Sequence, residues 1–356
     1  LELDKEKTMK YLKFLLIFIP ISIACKIFKF GDVILFFSSA VAIIPLAGVM
    51  GEATEEISAY SGPRLGGFLN ATFGNATELI IAFFALKEGL FDIVKASIAG
   101  SVIGNILLVL GVSMFAGGLK FKTQTFNKSA VEVSSSMLLF AVIGLVVPAI
   151  FMHTVKPELL NSPRYESLSI GIAAFMFVIY ICGLYFSFYT HKDIYGTNHA
   201  EEIKSKWSLK KSIFILVLAT VAIALESEFL VSSVESVTHS LGLSEFFVGI
   251  ILIPIIGNAA EHSTAILMAA KNKMDVAIEI AIGSSLQIIL FVAPLLIFLS
   301  LIFKPMDLIF NEFELISIIV AVIIANKVSN DGESNWLEGL QLIAVYGILA
   351  ISFLII

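Results

Sequence analysis

The strongest constraint on this chain is a succession of apolar runs, most about twenty residues long, separated by short charged or Gly/Pro/Asn-rich breaks. Wound as a helix, a run of that length crosses the ~30 Å hydrocarbon core of a bilayer and satisfies its own backbone hydrogen bonds there. Eleven such runs lie near residues 11–29, 33–50, 70–87, 93–117, 131–152, 166–190, 211–232, 245–270, 274–303, 309–327 and 336–356. The composition agrees: 58% of the 356 residues are hydrophobic, 15% are charged and the mean hydropathy is +0.96, whereas soluble domains sit near ~45–50% and ~25%. Disorder needs low hydropathy, a disulfide-stapled domain many cysteines, and a nucleic-acid binder a basic surface. With two cysteines, Cys25 and Cys182, and a net charge of −6, the chain is none of these. Both cysteines fall in apolar runs and are expected to be inert packing residues. The expected fold class is an all-α polytopic membrane protein of eleven transmembrane helices.

Lys and Arg residues orient such a chain, because cytoplasmic loops hold the excess. With the N-terminus inside, the inner segments hold sixteen basic residues and the outer ones seven. The outer connection 233–244 has none, whereas both neighbouring inner loops have several. The expectation is a plasma-membrane protein with a cytoplasmic N-terminus and its C-terminus outside. The first run has no small-residue cleavage site and leads almost directly into the second, so it reads as a retained span. The widest hydrophilic connection, 191–211, falls between the sixth and seventh spans.

Sliding the chain against itself by 183 residues aligns 74–111 with 257–294 without a gap. Apolar matches are cheap in such a sequence, but Gly74-Asn75-Ala76-x-Glu78 against Gly257-Asn258-Ala259-x-Glu261, and Gly100-Ser101 against Gly283-Ser284, are not explained by hydropathy. Five spans separate the copies, an odd number, so they face the membrane in opposite senses. Inverted repeats of this kind characterise secondary transporters, whose substrate site lies at the repeat interface near the midplane.

Within each motif Asn and Glu are three residues apart and share a helix face. Gly74, Gly257 and Pro254 loosen the helix and free carbonyls, which is tolerated at membrane depth only around a cavity or inside protein. An ionised carboxylate there needs a partner. One hard divalent cation can neutralise both Glu78 and Glu261, with Asn75, Asn258 and carbonyl oxygens completing the 6–8 oxygens that Ca2+ prefers. A single such Glu reads equally well as a solvated helix end, and a single Asn as a cap; the repetition weighs against that.

Gly100, Gly104 and Ser97 read as small residues for close helix packing. Gln287 is an amide in an apolar helix and is expected to line the site, with Asn105 a weaker candidate. Glu228, Ser232 and Glu235 share a face along the seventh span, whereas Glu52 and Glu56 read as solvated. His262 adjoins Glu261 and is suited to modulating protonation, or equally to packing between helices, since it points to another face.

These motifs resemble the paired signature repeats of the cation/proton exchanger family, the Ca2+/H+ antiporters. Supporting stretches are Ala53-Thr54-Glu55, Gly62-Pro63-Arg64-Leu65-Gly66-Gly67, Ser227-Glu228-Phe229-Leu230-Val231 and Gly283-Ser284-Ser285-Leu286-Gln287. The resemblance covers nearly the whole chain. It implies a first helix outside the duplicated core (1–30), two inverted five-helix repeats (31–190 and 212–356) and a cytoplasmic linker (191–211). It also implies that Glu78 and Glu261 bind the cation with Asn75, Asn258, Gln287, Gly74 and Gly257 at hand. Glu55 and Glu228 match acidic positions that the family places along the ion pathway; Glu235, His262, Ser101 and Ser284 are candidates for the same route.

The expected activity is export of Ca2+ in exchange for protons, with Ca2+ as transported substrate rather than cofactor. The partners expected are Ca2+, protons and the lipid bilayer, with no nucleic acid; oligomeric state stays open, a homo-oligomer included. The alternatives are a Na+/Ca2+ exchanger of the same superfamily, another divalent cation/proton exchanger, or a cation channel. Na+/Ca2+ exchangers resemble this pattern but place a hydroxyl residue and a Pro where this chain has Asn75, Asn258 and no Pro. An intramembrane hydrolase is weaker still, since consecutive Glu261-His262-Ser263 cannot share a helix face and no His-Glu-x-x-His motif exists.

Overall fold

A computed structural model describes residues 14–154, 163–194 and 205–355. The described chain is helical apart from connections and one two-residue ladder. In order the helices are α1 (Leu15–Phe28), α2 (Asp32–Phe73), α3 (Ala76–Lys87), α4 (Phe91–Lys120), α5 (Lys128–Thr154), α6 (Pro163–Tyr185, continued by a π turn Phe186–Thr190), α7 (Leu209–Ser232), α8 (Val234–Leu241), α9 (Glu245–Ala269), α10 (Met274–Ser300), α11 (Glu312–Val328) and α12 (Trp336–Ile355). Eight stretches among the described residues are long and apolar enough to cross a membrane. The expected spans 11–29, 70–87 and 309–327 correspond to the shorter α1, α3 and α11; residues 11–13 of the first lie outside the described residues.

Residues 51–69, which fall between the expected spans 33–50 and 70–87, are not a loop but continue α2 as helix. The helix is folded back on itself: the Ser58 hydroxyl donates to the Gly66 carbonyl at 3.1 Å and to Asn70 Oδ1 at 3.3 Å. In a straight helix those partners would be ~12 and ~18 Å away along the axis. The sequence between them contains Gly62-Pro63, and a proline, lacking a backbone N–H, favours a sharp kink.

Contacts sort the connections to two ends of the bundle. At one end Lys95 pairs with Asp307 (2.6 Å), Lys87 meets Glu228 (3.9 Å), and the Ser236 hydroxyl donates to Asp32 (2.7 Å). At the other end β1 (Gln124–Thr125) pairs antiparallel with β2 (Glu333–Ser334), with Gln124 opposite Ser334. There, too, the Gln124 amide donates to the Ala269 carbonyl, and the backbone N–H groups of Lys206 and Trp207 donate to Glu56. These are called the Lys95–Asp307 end and the ladder end below.

The buried centre is α4 with α9 and α10; Ile93 to Ile103 of α4 are almost all shielded. Glycines set the closest crossings. A methyl group on Gly339 of α12 would lie 2.6 Å from the Gly111 carbonyl oxygen of α4, so these backbones touch directly, as small residues permit in lipid. The outward faces are apolar at helical spacing: Leu139, Ile143, Val147 and Ile150 on α5, and Ile348, Ile351 and Ile355 on α12. Exposed apolar rows on this scale are what a bilayer covers. Cys25 is buried, but Cys182 is exposed on α6, contrary to the expectation that both pack inside.

Candidate functional site

The two Gly-Asn motifs sit in different local structures. In the first, α2 ends at Phe73, Gly74 donates its N–H to the Asn70 carbonyl (2.8 Å), and Asn75 leaves the helical region at φ −97°, ψ 22°. The break puts Asn75 at the start of α3 and Glu78 in its first turn, where the helix dipole favours a carboxylate. In the second, Gly257 and Asn258 lie inside continuous α9, just after a π-helical stretch, Val248–Leu252, and Pro254. The loosening expected at both motifs is therefore a break in one half and a π stretch in the other.

The motifs meet crosswise. A methyl group on Gly257 would lie 3.3 Å from Glu78 Cγ and 3.5 Å from its Cδ; one on Gly74 would lie 3.1 Å from Glu261 Oε1 and 3.7 Å from Gln287 Oε1. Each half's glycine thus makes room for the other half's glutamate, and the two carboxylates are close enough to interact electrostatically. The amides cross as well. Asn75 donates from Nδ2 to Gln287 Oε1 (2.6 Å) and accepts at Oδ1 from the Ser284 hydroxyl (2.6 Å). Asn258 donates to the Ser101 hydroxyl (3.3 Å) and to the Pro254 carbonyl (3.0 Å).

Burial then creates an imbalance. Both oxygens of Glu78, Oε2 of Glu261 and Oδ1 of Asn258 are shielded from solvent and accept no hydrogen bond. Buried acceptors left without donors cost about 1–3 kcal/mol each, more if charged, so four oxygens gathered here call for something positive. A cavity of about 10 Å3 adjoins Glu78, lined also by Ala82, Ser97, Ser101, Ile253 and Ile288; that is close to the space one water molecule needs. Among the described residues no cluster of three His, Cys, Asp or Glu side chains is placed to hold a metal. The charged donors are the two glutamates, and the rest of any cation shell must come from neutral oxygens.

The other candidates lie elsewhere. His262 faces α4, its Nε2 3.0 Å from Asn105 Oδ1, in the π-helical stretch Gly104–Val109; no signal in the sequence pairs these two. Glu55 is exposed on α2, Glu228 is exposed opposite Lys87, and Glu235 is exposed on α8. The single face expected for Glu228, Ser232 and Glu235 is interrupted, because α7 stops at Ser232 and α8 begins at Val234. The buried carboxyl of α7 is instead Glu226, 1% exposed, accepting from the Ser22 hydroxyl of α1 at 2.7 Å. Residues two apart on a helix point to different sides, so Glu226 and Glu228 do not share an environment, and hydropathy does not say which of them faces inward.

The fold and this centre define a polytopic helical membrane protein with two carboxylates from distant chain segments buried at one spot. Residues 32–189 and 211–355 match the sodium/calcium exchanger protein family, and the chain belongs to it. It is 47% identical to the Ca2+/H+ antiporter ChaA of Bacillus subtilis, over 95% of this chain and 97% of that protein. It is 46% identical to a Ca2+/H+ antiporter of Aphanothece halophytica, over 95% of both. The solved structure of native YfkE superposes with a TM-score of 0.84 at 43% identity, covering 97% of this chain and all of that one.

Proposed function

We propose that the chain is a secondary active transporter that exports Ca2+ in exchange for protons, binding both at the Glu78–Glu261 site. The observation that carries this reading is the group of buried oxygens on Glu78, Glu261 and Asn258 that accept no hydrogen bond. One divalent ion satisfies them together, as Ca2+ does with oxygen ligands at 2.3–2.6 Å. Protons on the carboxyls satisfy them separately. The two cargoes therefore exclude each other, and linkage makes the exclusion reciprocal. Similarity along nearly the full length to proteins named Ca2+/H+ antiporters supports the same assignment.

In this reading Glu78 and Glu261 are the charged ligands, and Asn75, Asn258 and Gln287 supply amide oxygens. Gly74 and Gly257 leave room, while the Ser101 and Ser284 hydroxyls orient the amides. His262 braces α9 against Asn105. Glu55, at the ladder end, and Glu228 and Glu235, at the opposite end, draw cations toward the mouths.

Residues 31–190 and 212–356 form two inverted five-helix halves joined by 191–211, with α1 outside them. Eleven segments cross the plasma membrane, with the ladder end and the N-terminus in the cytoplasm. The crosswise pairs Ser284–Asn75 and Asn258–Ser101 support the duplication. So does the π-helical stretch Gly104–Val109, which the 183-residue shift carries onto 287–292, where Ile288–Val292 is π-helical too. Rocking one half against the other exposes the site to each side in turn.

Glu78→Gln and Glu261→Gln are expected to reduce pH-gradient-driven uptake of radiolabelled Ca2+ into inverted vesicles to background. Wild-type uptake in either variant would remove the site. Replacing the pH gradient by a Na+ gradient separates proton exchange from Na+/Ca2+ exchange, and only the pH gradient should drive flux.

A further inference from the structure

The duplication makes a demand on the packing: any contact made in one half has a counterpart in the other, and an alternating machine should hold one closed while the other is open. The contact to examine joins α4 to α9. A methyl group on Gly100 would overlap the carbonyl oxygen of Ile250 and lie 2.6 Å from its carbonyl carbon. A methyl group on Gly249 would lie 2.8 Å from the Ala96 side chain and 3.4 Å from the Ile93 backbone. Ile93 and Ala96 are 1% and 0% exposed. This tight crossing lies between the site and the Lys95–Asp307 end.

The 183-residue shift carries Gly100, Ala96 and Ile93 onto Gly283, Glu279 and Val276 of α10, and Ile250 and Gly249 onto Gly67 and Gly66 of α2. The counterpart is not made. A methyl group on Gly283 meets nothing within 4 Å, Val276 is 36% exposed and Glu279 is exposed. Gly67 instead lies against the Phe188 ring. The asymmetry extends along the motif helices: Ile81 and Ala85 of α3 are buried, whereas their counterparts Thr264 and Met268 of α9 are partly exposed, and Gly74 is exposed where Gly257 is buried.

We propose that Gly100–Ile250 and Gly283–Gly67 are paired gates. The first, closed here, seals the Lys95–Asp307 end; the second, open here, closes by the same backbone-on-backbone approach when the first parts. The inference rests on the inverted-repeat reading above. It assigns to two glycines, neither of them a ligand, the task of setting which end the site faces. Glycine is needed at each because any side chain there stands between two backbones.

The test is a pair of repeat-related substitutions with opposite effects. Gly283→Ala fits this arrangement and obstructs the other. It should fold, bind Ca2+ and exchange it at least about tenfold more slowly than wild type, the factor that ~1.4 kcal/mol of bias produces. Gly100→Ala is obstructed here and favours the other arrangement. The readout is labelling of Thr264→Cys by a membrane-impermeant maleimide, in purified protein with Cys25 and Cys182 replaced by Ser and Ca2+ absent. Labelling should stay at or above the wild-type rate in Gly283→Ala and slow markedly in Gly100→Ala. Exchange at the wild-type rate in Gly283→Ala, or a labelling shift in the same direction in both variants, overturns the proposal. If Gly100→Ala fails to fold, the Gly283→Ala exchange rate decides alone. Labelling needs neither Ca2+ nor a gradient, so opposite shifts in a protein that moved no Ca2+ would sink the transport reading and leave the gates standing.

Discussion

Asn75 and Gln287 are joined by a 2.6 Å hydrogen bond across the two halves of the chain, and the residue that the repeat sets opposite Gln287 is Gly104, which has no side chain to offer. The site therefore draws on both aligned segments but is not symmetric. Asn75, at the break between α2 and α3, is held by Gln287 and Ser284, whereas Asn258 relies on Ser101 and the Pro254 carbonyl. Gln287→Ala should remove one proposed ligand oxygen and free the Asn75 amide that it holds. The loss of one buried hydrogen bond, worth about 1–2 kcal/mol, should weaken apparent Ca2+ affinity roughly tenfold. The Ca2+ dependence of initial exchange rates measures it, and an unchanged half-saturation point would show that binding needs neither the Gln287 amide oxygen nor its hold on Asn75.

The two motif glycines should differ in tolerance. A methyl group on Gly257 meets Glu78 Cγ at 3.3 Å, and that flexible side chain can give by a few tenths of an ångström. One on Gly74 meets the Asn70 carbonyl at 2.9 Å and Glu261 Oε1 at 3.1 Å, a backbone atom and a proposed ligand at once. Gly74→Ala is expected to weaken Ca2+ binding by about tenfold more than Gly257→Ala does, a difference of ~1.4 kcal/mol, since its methyl group presses on a carboxylate oxygen, Glu261 Oε1, whereas that of Gly257→Ala presses on the Glu78 stem. Calorimetric titration of the two purified variants compares them; equal losses would contradict the geometry.

Much of this site was legible because duplication doubles a weak signal. One Gly-Asn-x-x-Glu pattern is a capped helix with a solvated end; two of them 183 residues apart pointed to Glu78 and Glu261 as partners, and the fold brings each to the other's glycine. Residues without a repeat mate were harder to read. His262 and Asn105 correspond to Leu79 and Ile288, so nothing in the alignment ties them together. The folded-back course of α2 was hidden because Gly62-Pro63 signals a break whether the flanking residues are loop or helix. Hydropathy reports the mean of a window, and Glu226 and Glu228 share every window of useful length although one is buried and the other exposed.

Proton competition fixes a sign for the pH dependence. In the proposed function Ca2+ binds the ionised Glu78 and Glu261 carboxyls, so falling pH should raise the apparent Kd for Ca2+ and rising pH should lower it. Where both carboxyls take up protons the change approaches about a hundredfold per pH unit, and about tenfold where one does. Titration calorimetry in buffers of different ionisation enthalpy gives the number of protons released per Ca2+ bound. Release of none would rule out a shared site. In Glu78→Gln or Glu261→Gln, any residual Ca2+ binding should show the shallower dependence.

The Ser22–Glu226 contact makes a prediction about stability that is independent of transport. Ser22 and Glu226 are 0% and 1% exposed, the hydroxyl donates to Oε1 at 2.7 Å, and Oε2 has no partner. This bond fastens α1 to α7. Ser22→Ala removes the donor and leaves a buried carboxyl with nothing to bond, at a cost of about 1–3 kcal/mol. Glu226→Leu removes the buried carboxyl and fills similar volume with apolar atoms, and the hydroxyl can turn its proton wholly to the Ile19 carbonyl, 2.8 Å away. Replacing a buried polar group in this way is commonly neutral or stabilising. Thermal unfolding in detergent should therefore rank Glu226→Leu at or above wild type and Ser22→Ala below it, with Ca2+ exchange per folded molecule unchanged in both. If Glu226→Leu abolished exchange while remaining folded, Glu226 would belong to the transport route and α1 would be part of the machinery rather than its support.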